Sequence, residues 1–152
     1  MAERDLAAVT RTIIDANQYM TLATADAQGQ PWASPVFYAT ADYAEFYWIS
    51  APETTHSRNL AQRPQISMVI FDSTAPEGTG QAVYMSATAE QVPDGDLDRA
   101  LAVYPGPAVA PYRLYRATAF EHSILCPRED GGACTGHGVL FDHRVPVRLV
   151  AG

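Results

Sequence analysis

The chain has 152 residues, of which 47% are hydrophobic and 18% are charged, and its formal net charge is −7. This length fits one domain with a substantial core, which we expect to span residues 1–152. The negative charge argues against nucleic acid or an anionic membrane as a partner. No apolar run approaches the roughly 20 residues of a membrane-spanning helix, and the acidic N-terminus lacks a signal-peptide pattern, so we expect a cytoplasmic protein.

The first forty residues predict a helix followed by a β-hairpin. Apolar residues recur at helical spacing from Glu3 to Asn17, within an N-terminal segment of residues 1–18. A strand over Met20–Ala25 and a returning strand over Pro31–Tyr38 flank a glycine-containing turn. Pro35 lies in the middle of the returning strand. Because proline cannot donate a ladder hydrogen bond, its position favours a sheet edge, a bulge or a ligand contact.

The remaining chain predicts five further strands and two short helices. The strands are expected at Phe46–Ile49, Ile66–Phe71, Gln81–Val92, Arg113–Leu125 and Arg144–Val150. The helices are expected at His56–Arg63 and Asp94–Tyr104. The aromatic run of Phe46–Ile49 is typical of a strand that is buried on both faces. Seven short strands joined by tight turns favour a closed or partly open β-barrel over residues 20–150, rather than an alternating α/β sheet.

A candidate anion site follows the aromatic strand. Thr54 or Thr55 provides a hydroxyl N-cap for the next helix, whose first turn carries His56, Ser57, Arg58 and Asn59. Backbone N–H groups at a helix start favour an anion. Arg58 and His56 would add charge-assisted hydrogen bonds, each contributing about 1.5–3 kcal/mol. This segment therefore predicts a phosphate site, although an exposed capped helix with a solvated Arg58 explains the same residues.

Known catalytic motifs are not found in the sequence. It contains no dinucleotide-binding glycine motif that opens a helix, no P-loop and no HExxH, and no catalytic triad can be argued from residue order. If the protein is an enzyme, we therefore expect a bound cofactor to supply the chemistry.

Two cysteines, Cys126 and Cys134, are separated by seven residues, and His137 follows closely. Zinc ligands usually occur as tighter pairs and in a fuller set. Two reduced thiols without a metal are therefore the favoured interpretation, and we expect no metal site. A structural protein held together by a metal on Cys126, Cys134 and His137 is the weaker alternative.

The ordered elements between Met20 and Val92 resemble the flavin-binding split β-barrel family, the pyridoxamine-5′-phosphate-oxidase-like proteins. The resemblance is carried by MTLATADAQGQPWASPVFY, FYWISAP, HSRNLAQRP, QISMVIF and GQAVYMSATAEQV, in that order. It implies a mainly β fold: a split β-barrel of six to seven antiparallel strands, of Greek-key type, with a few short helices. It also implies a homodimer that binds the cofactor in a groove between its subunits.

The resemblance further implies which residues bind a flavin. Ser34, Pro35, Val36 and Phe37 would run along the ribityl chain and ring, and Ile49 and Ser50 would flank the phosphate. His56 and Arg58, together with Ser57 and Asn59 of the same turn, would bind the phosphate, and Gln81 would reach the ring from the partner subunit. His56 stands where the family commonly has lysine. Because the reference pKa of histidine is about 6.5, this replacement predicts a pH-dependent phosphate affinity.

The function implied by the resemblance is hydride transfer between FMN and an unidentified small molecule. The deazaflavin coenzyme F-420 is an alternative cofactor, and a flavin or haem carrier without turnover is an alternative function. Trp32, Phe37 and Trp48 are candidate aromatic walls for the ring. True pyridoxine-phosphate oxidases of the family end in a segment with tryptophan and arginine that grips pyridoxal phosphate. This chain ends RVPVRLVAG, so we do not expect that activity.

Overall fold

The computed structural model describes residues 5–106, 109–127, 137–141 and 143–149. The helices are α1 (Leu6–Ala16), α2 (Thr55–Gln62) and α3 (Leu97–Val103), and a short 3-10 turn (Asp94–Asp96) leads into α3. The strands are β1 (Tyr19–Ala25), β2 (Pro31–Phe37), β3 (Ala39–Ala41), β4 (Glu45–Ser50), β5 (Gln65–Phe71), β6 (Ala82–Gln91), β7 (Arg113–Leu125) and β8 (Arg144–Val147). In the described ranges, no helix is both long and apolar enough to cross a lipid bilayer.

The strands form one antiparallel sheet in the order β2-β1-β5-β6-β7-β4-β3, and β8 pairs with β7 beside β4. The sheet curls, because β2 near one end also packs against β4 near the other. The predicted mainly β split barrel with few short helices is confirmed. The three-residue strand β3 was not predicted, because Ala39–Ala41 is too short to show a period of its own.

The long strand β7 connects three neighbours. Residues 113–118 pair with β4 and residues 122–125 pair with β8, while β6 lies along the other edge. Phe120 has no partner on β6, since Glu121 lies opposite Ser86 and Ala119 lies opposite Ala87. Such a bulge bends a strand and increases its twist, which lets β7 change partners along its length.

The aromatic strand β4 is buried on both faces, as predicted. Phe46 and Trp48 pack in the main core between the curled sheet and α1, and Trp48 stacks on Tyr115 with ring centroids 5.8 Å apart. Tyr47 faces the other way, into a smaller core with Ala100 of α3. Phe46, Tyr47 and Trp48 are each 0% exposed. Since successive side chains of a strand point to opposite faces, only a strand between two cores can bury all three.

Pro35 lies on an edge strand, which is one of the three positions predicted for it. Within the part of the chain that the structure describes, β2 pairs with β1 alone, and Pro35 lies opposite Thr21. The open side of an outer strand forms no ladder hydrogen bonds, so a proline there loses none by lacking an N–H group.

Candidate functional site

Helix α2 begins at the end of β4 and is capped by Thr54. Thr54 has extended backbone angles, and its hydroxyl accepts a hydrogen bond from the backbone N–H of Ser57 over 3.4 Å. Of the two caps predicted, Thr54 is therefore the one used. The helix packs against β1, β2 and β6, which fixes its position on the sheet.

His56 is buried beneath this first turn rather than exposed on it. Its side chain is 8% exposed, and Nε2 lies 2.7 Å from Oγ of Ser50 and 3.3 Å from Oγ1 of Thr54. Burial lowers the pKa of His56 below its ordinary value, because the charged imidazolium loses its hydration. The imidazole is therefore uncharged at neutral pH. Any gain in phosphate affinity from its protonation requires a pH below about 6.5.

Two other polar residues of the turn also have partners inside the protein. The hydroxyl of Ser57 accepts a hydrogen bond from the hydroxyl of Thr54 over 2.8 Å, and Ser57 is 2% exposed. The side-chain amide of Asn59 donates to Oγ1 of Thr24 on β1 over 3.1 Å. Ser57 and Asn59 therefore hold the helix in place, which is a structural role that the sequence pattern does not distinguish from ligand binding.

Arg58 differs from its three neighbours because it is exposed. It lies at the rim of an open depression whose walls include Pro52, Ala61 and Tyr115. Among the described residues, no carboxylate forms an ion pair with its guanidinium group; the ion pairs of this region involve Arg99 and Arg116. The first turn of α2 thus presents one unpaired cation beside the backbone N–H groups of a helix start.

The four predicted residues of β2 divide between its two faces. Val36 is buried opposite Met20 and Ser34 is half-buried, whereas Pro35 and Phe37 are exposed. This division follows from the two-residue period of a strand. All four cannot contact one ligand through their side chains, so only Pro35 and Phe37 can offer theirs on the outer face.

Phe37 belongs to an aromatic edge that we define as Tyr19, Phe37 and Tyr104, of which Tyr104 is half-buried. The Phe37 ring meets Tyr19 edge-on at 5.8 Å and Tyr104 edge-on at 6.2 Å between centroids. Tyr19 is 61% exposed and Phe37 is 41% exposed, so this edge keeps much apolar surface in contact with water. Ile49 is half-buried and packs in the smaller core with Tyr104, which brings the end of β4 close to the aromatic edge.

The remaining predicted residues lie in different surroundings. Gln81 is half-buried and lies directly before β6. Ser50 is only 6% exposed, and its hydroxyl contacts His56. Trp32 is 49% exposed on β2, but Trp48 is a core residue and cannot form an aromatic wall for a ligand.

The sheet also has a depression that the sequence analysis did not predict. Its lining includes Ser67, Tyr84, Glu121 and Arg144, and it contains none of the predicted cofactor residues. The Arg144 guanidinium lies over the Tyr84 ring at 3.7 Å from the centroid, a favourable cation–π contact. These side chains come from four strands that only the folded sheet brings together, so no local motif signals them.

Cys126, His137 and His143 come together at the junction of β7 and β8. Their candidate ligand atoms all lie within 4.8 Å of one another. Cys134, which the sequence analysis considered with Cys126 and His137, lies outside the described residues. The sequence analysis did not consider His143 as a ligand. The occurrence of several cysteines and histidines between Cys126 and His143 is the feature of the sequence that could have indicated this group.

Several solved structures share the fold of this chain. A haem-binding protein from Mycobacterium smegmatis has a TM-score of 0.71 and 21% identity, and the match covers 96% of this chain and 60% of that one. An FAD-binding protein from Mesorhizobium loti has a TM-score of 0.64 and 23% identity, with 78% and 92% covered. HutZ, a haem storage protein from Vibrio cholerae, has a TM-score of 0.60 and 18% identity, with 76% and 91% covered.

These similarities establish a common fold, and the chain spans about 60% of the length of the Mycobacterium smegmatis protein. No curated protein matches the chain in sequence. The family model described as pyridoxamine 5′-phosphate oxidase matches residues 6–125, which include α1 to α3 and β1 to β7. The matched range contains every residue predicted to bind the cofactor. The chain therefore belongs to the pyridoxamine 5′-phosphate oxidase family.

Proposed function

We propose that this protein is a dimeric FMN-dependent oxidoreductase that binds the FMN phosphate at the start of α2. The observation that carries the proposal is Arg58, an exposed guanidinium without an ion-pair partner among the described residues, in the first turn of a helix. A phosphate there would accept charge-assisted hydrogen bonds from Arg58 and from backbone N–H groups. The donor set suits a phosphate monoester, and family membership supports a flavin as the molecule that carries it.

The aromatic edge supports a ring-binding role for the neighbouring surface. Phe37 is on the exposed face of β2, and β2 contacts α2. As the family resemblance implies, a ligand held at Arg58 would extend along this strand. A planar apolar ring would cover part of the exposed surface of Phe37, which water otherwise contacts. Pro35 and Phe37 would then provide the contacting side chains, and Ser34 would contribute through its backbone.

A second copy of the chain would close the other side of the ligand. The aromatic edge and the depression on the sheet together leave apolar and polar side chains open to solvent, including Phe37 and Tyr84. A symmetric partner that packs on these surfaces would bury them and bring its own Gln81 towards the ring. The groove between two subunits would also exclude water from the reacting atoms.

FMN would supply hydride transfer when bound, and the chain would bind and orient the reactants. The predicted residues around α2 and β2 include no carboxylate, lysine or cysteine, and the one histidine is buried against Ser50. The protein residues therefore contribute position and electrostatics rather than a nucleophile. The substrate would be a small molecule that accepts or donates a hydride, such as a quinone-like compound.

The proposal is tested with metal-free, cofactor-free protein titrated with FMN and then assayed with a reduced nicotinamide and a quinone under anaerobic conditions. We expect one FMN per chain and quinone reduction that requires the bound FMN. The same titration with coenzyme F-420 tests the alternative cofactor. Tight binding of F-420 with no binding of FMN would overturn the assignment of FMN and leave the site in place.

A carrier function is the second candidate, and the haem-binding and haem storage proteins among the similar folds favour it. A carrier requires affinity without turnover. A haem titration that gives a saturable Soret band, together with no flavin binding, would support the carrier and contradict the oxidoreductase. A bound flavin that no donor reduces would support a flavin carrier instead.

A further inference from the structure

We propose that Cys126, His137 and His143 bind one zinc-class transition-metal ion at the junction of β7 and β8. None of these three residues belongs to α2, β2 or β4, the elements that carry the proposed flavin site. The inference therefore stands or falls independently of the proposed function.

The backbone places two of the ligands side by side. Cys126 directly follows β7 and His143 directly precedes β8, and the last paired residues of the two strands are Leu125 and Arg144. The backbone N–H of Cys126 donates to the carbonyl oxygen of His143 over 2.9 Å, which extends the ladder by one step. The two ligands therefore come from paired positions of a sheet, and a rigid scaffold of this kind suits a preorganised metal site.

The distances match those of a tetrahedral metal site. Sγ of Cys126 lies 3.4 Å from Nδ1 of His137, and the three candidate ligand atoms all lie within 4.8 Å of one another. Zinc binds thiolate sulfur at about 2.3 Å and imidazole nitrogen at about 2.0–2.1 Å, so tetrahedral geometry separates the two ligand atoms by about 3.6 Å. An ion placed among the three residues would therefore require only small movements of their side chains.

A hydrogen bond from the Cys126 thiol to His137 is the simplest competing explanation for the short distance. That hydrogen bond uses one imidazole, whereas the structure brings a second imidazole to the same point. The rings of His137 and His143 meet edge-to-face, with centroids 5.2 Å apart. Three soft and borderline ligand atoms therefore converge on one point.

The donor set determines the class of metal. One thiolate and two imidazoles favour zinc and other late first-row ions over magnesium or calcium, which prefer oxygen ligands. In the described part of the chain, the group has no carboxylate and no fourth ligand residue. The three residues would occupy three positions of a tetrahedral site. Cys126 is 4% exposed and His137 is exposed, so the ion would reach the site from the His137 side.

Metal binding would hold β8 against β7. Among the described residues, four residue pairs join these strands. The first is His122 with Val147 and the last is Leu125 with Arg144. A metal that connects Cys126 with His143 would add a cross-link at the open end of this short ladder. Because Arg144 follows His143 directly, the same cross-link would help to keep its guanidinium over Tyr84.

The test is a titration of chelator-treated, reduced protein with cobalt(II), followed by displacement with zinc(II). We expect one cobalt per chain and a near-ultraviolet thiolate-to-cobalt charge-transfer band that zinc removes. Cys126→Ser should abolish this band. His137→Ala and His143→Ala should each weaken cobalt binding by at least about tenfold, because even the loss of an outer-shell partner costs 10–100-fold. His56→Gln removes a histidine elsewhere and should bind cobalt as the wild type does.

Thermal unfolding provides a second readout. Zinc should raise the melting temperature of the wild type and of His56→Gln, but not that of His137→Ala, whose exposed side chain can be removed without opening the core. Absence of stoichiometric cobalt binding by the wild type would overturn the proposal and leave a hydrogen-bonded thiol and imidazoles. Cobalt binding that is unchanged in both Cys126→Ser and His137→Ala would also overturn it. An FMN titration of the wild type and of His137→Ala keeps this result separate from the flavin proposal.

Discussion

His56 Nε2 lies 2.7 Å from Ser50 Oγ, so a buried hydrogen bond joins the end of β4 to the first turn of α2. The family resemblance pointed to His56 as a cationic substitute for lysine, but burial keeps the imidazole neutral at neutral pH. The positive charge of this turn therefore comes from Arg58 and the backbone of the helix start. Whether His56 contacts a bound phosphate stays a prediction.

The first prediction concerns the pH dependence of stability. Because the pKa of His56 is lower in the folded protein than in the unfolded chain, the unfolded chain binds more protons as the pH falls below about 6.5. His56 should therefore make the free energy of unfolding decrease between about pH 7.5 and 5.5. His56→Gln, which can still bond to Ser50, should show a smaller decrease. Urea unfolding of both proteins at the two pH values measures the difference, and equal decreases would contradict the lowered pKa.

The second prediction concerns Arg116, which lies between acidic side chains at the edge of the smaller core. Its guanidinium is 3.0 Å from Asp96 and 2.5 Å from Glu90, and its side chain is 8% exposed. Arg116→Met should lower the free energy of unfolding by about 2–4 kcal/mol. This loss is slightly smaller than that expected for a fully buried ion pair, because the carboxylate partners of Arg116 keep contact with water. Arg99→Met is the matched control. Arg99 is 55% exposed and pairs with Glu45, so its removal should cost much less. Equal losses in urea unfolding would mean that burial does not decide the contribution of these ion pairs.

The third prediction concerns the dimer. If the partner subunit brings Gln81 to the ring, Gln81→Ala should shift the flavin absorption bands and leave the FMN dissociation constant within about threefold, because the phosphate contacts remain. Sedimentation should show a dimer for the wild type and for Gln81→Ala. A monomer that binds FMN tightly would contradict both the dimer and the role of Gln81.

The predictability of the fold differed between its elements for physical reasons. The burial of β4 on both faces followed from local chemistry, because a continuous aromatic run is apolar on both faces of a strand. The edge was one of three positions predicted for Pro35, because proline lacks a backbone donor. The division of β2 into two faces also follows from its period, yet the family resemblance implicated Ser34, Pro35, Val36 and Phe37 together. The burial of His56 could not be predicted, because it depends on where β4 ends relative to α2. The grouping of Cys126 with His143 depends on the pairing of β7 with β8, which joins residues distant in sequence.

The fourth prediction concerns the substrate. The sequence analysis led us to expect that the chain is not a true pyridoxine-phosphate oxidase. Pyridoxine phosphate should therefore reduce the bound FMN negligibly in an anaerobic stopped-flow experiment, even when FMN saturates the protein. A quinone mixed with the chemically reduced protein should reoxidise the FMN, which shows that the cofactor is competent. Rapid reduction by pyridoxine phosphate would place the protein among the true oxidases.

The most direct test of the proposed flavin site is an FMN titration that compares Arg58→Ala with Arg63→Ala. Both substitutions remove an arginine from the same segment, but Arg58 is in the first turn, whereas Arg63 caps the far end of α2 and donates to the carbonyl oxygen of Ala27. Arg58→Ala should weaken FMN binding by about 2–3 kcal/mol, the range for the loss of a charged hydrogen bond, and riboflavin binding should change little. Arg63→Ala should bind FMN nearly as the wild type does. Unchanged FMN affinity in Arg58→Ala, or an equal loss in both variants, would contradict a phosphate site at the start of α2.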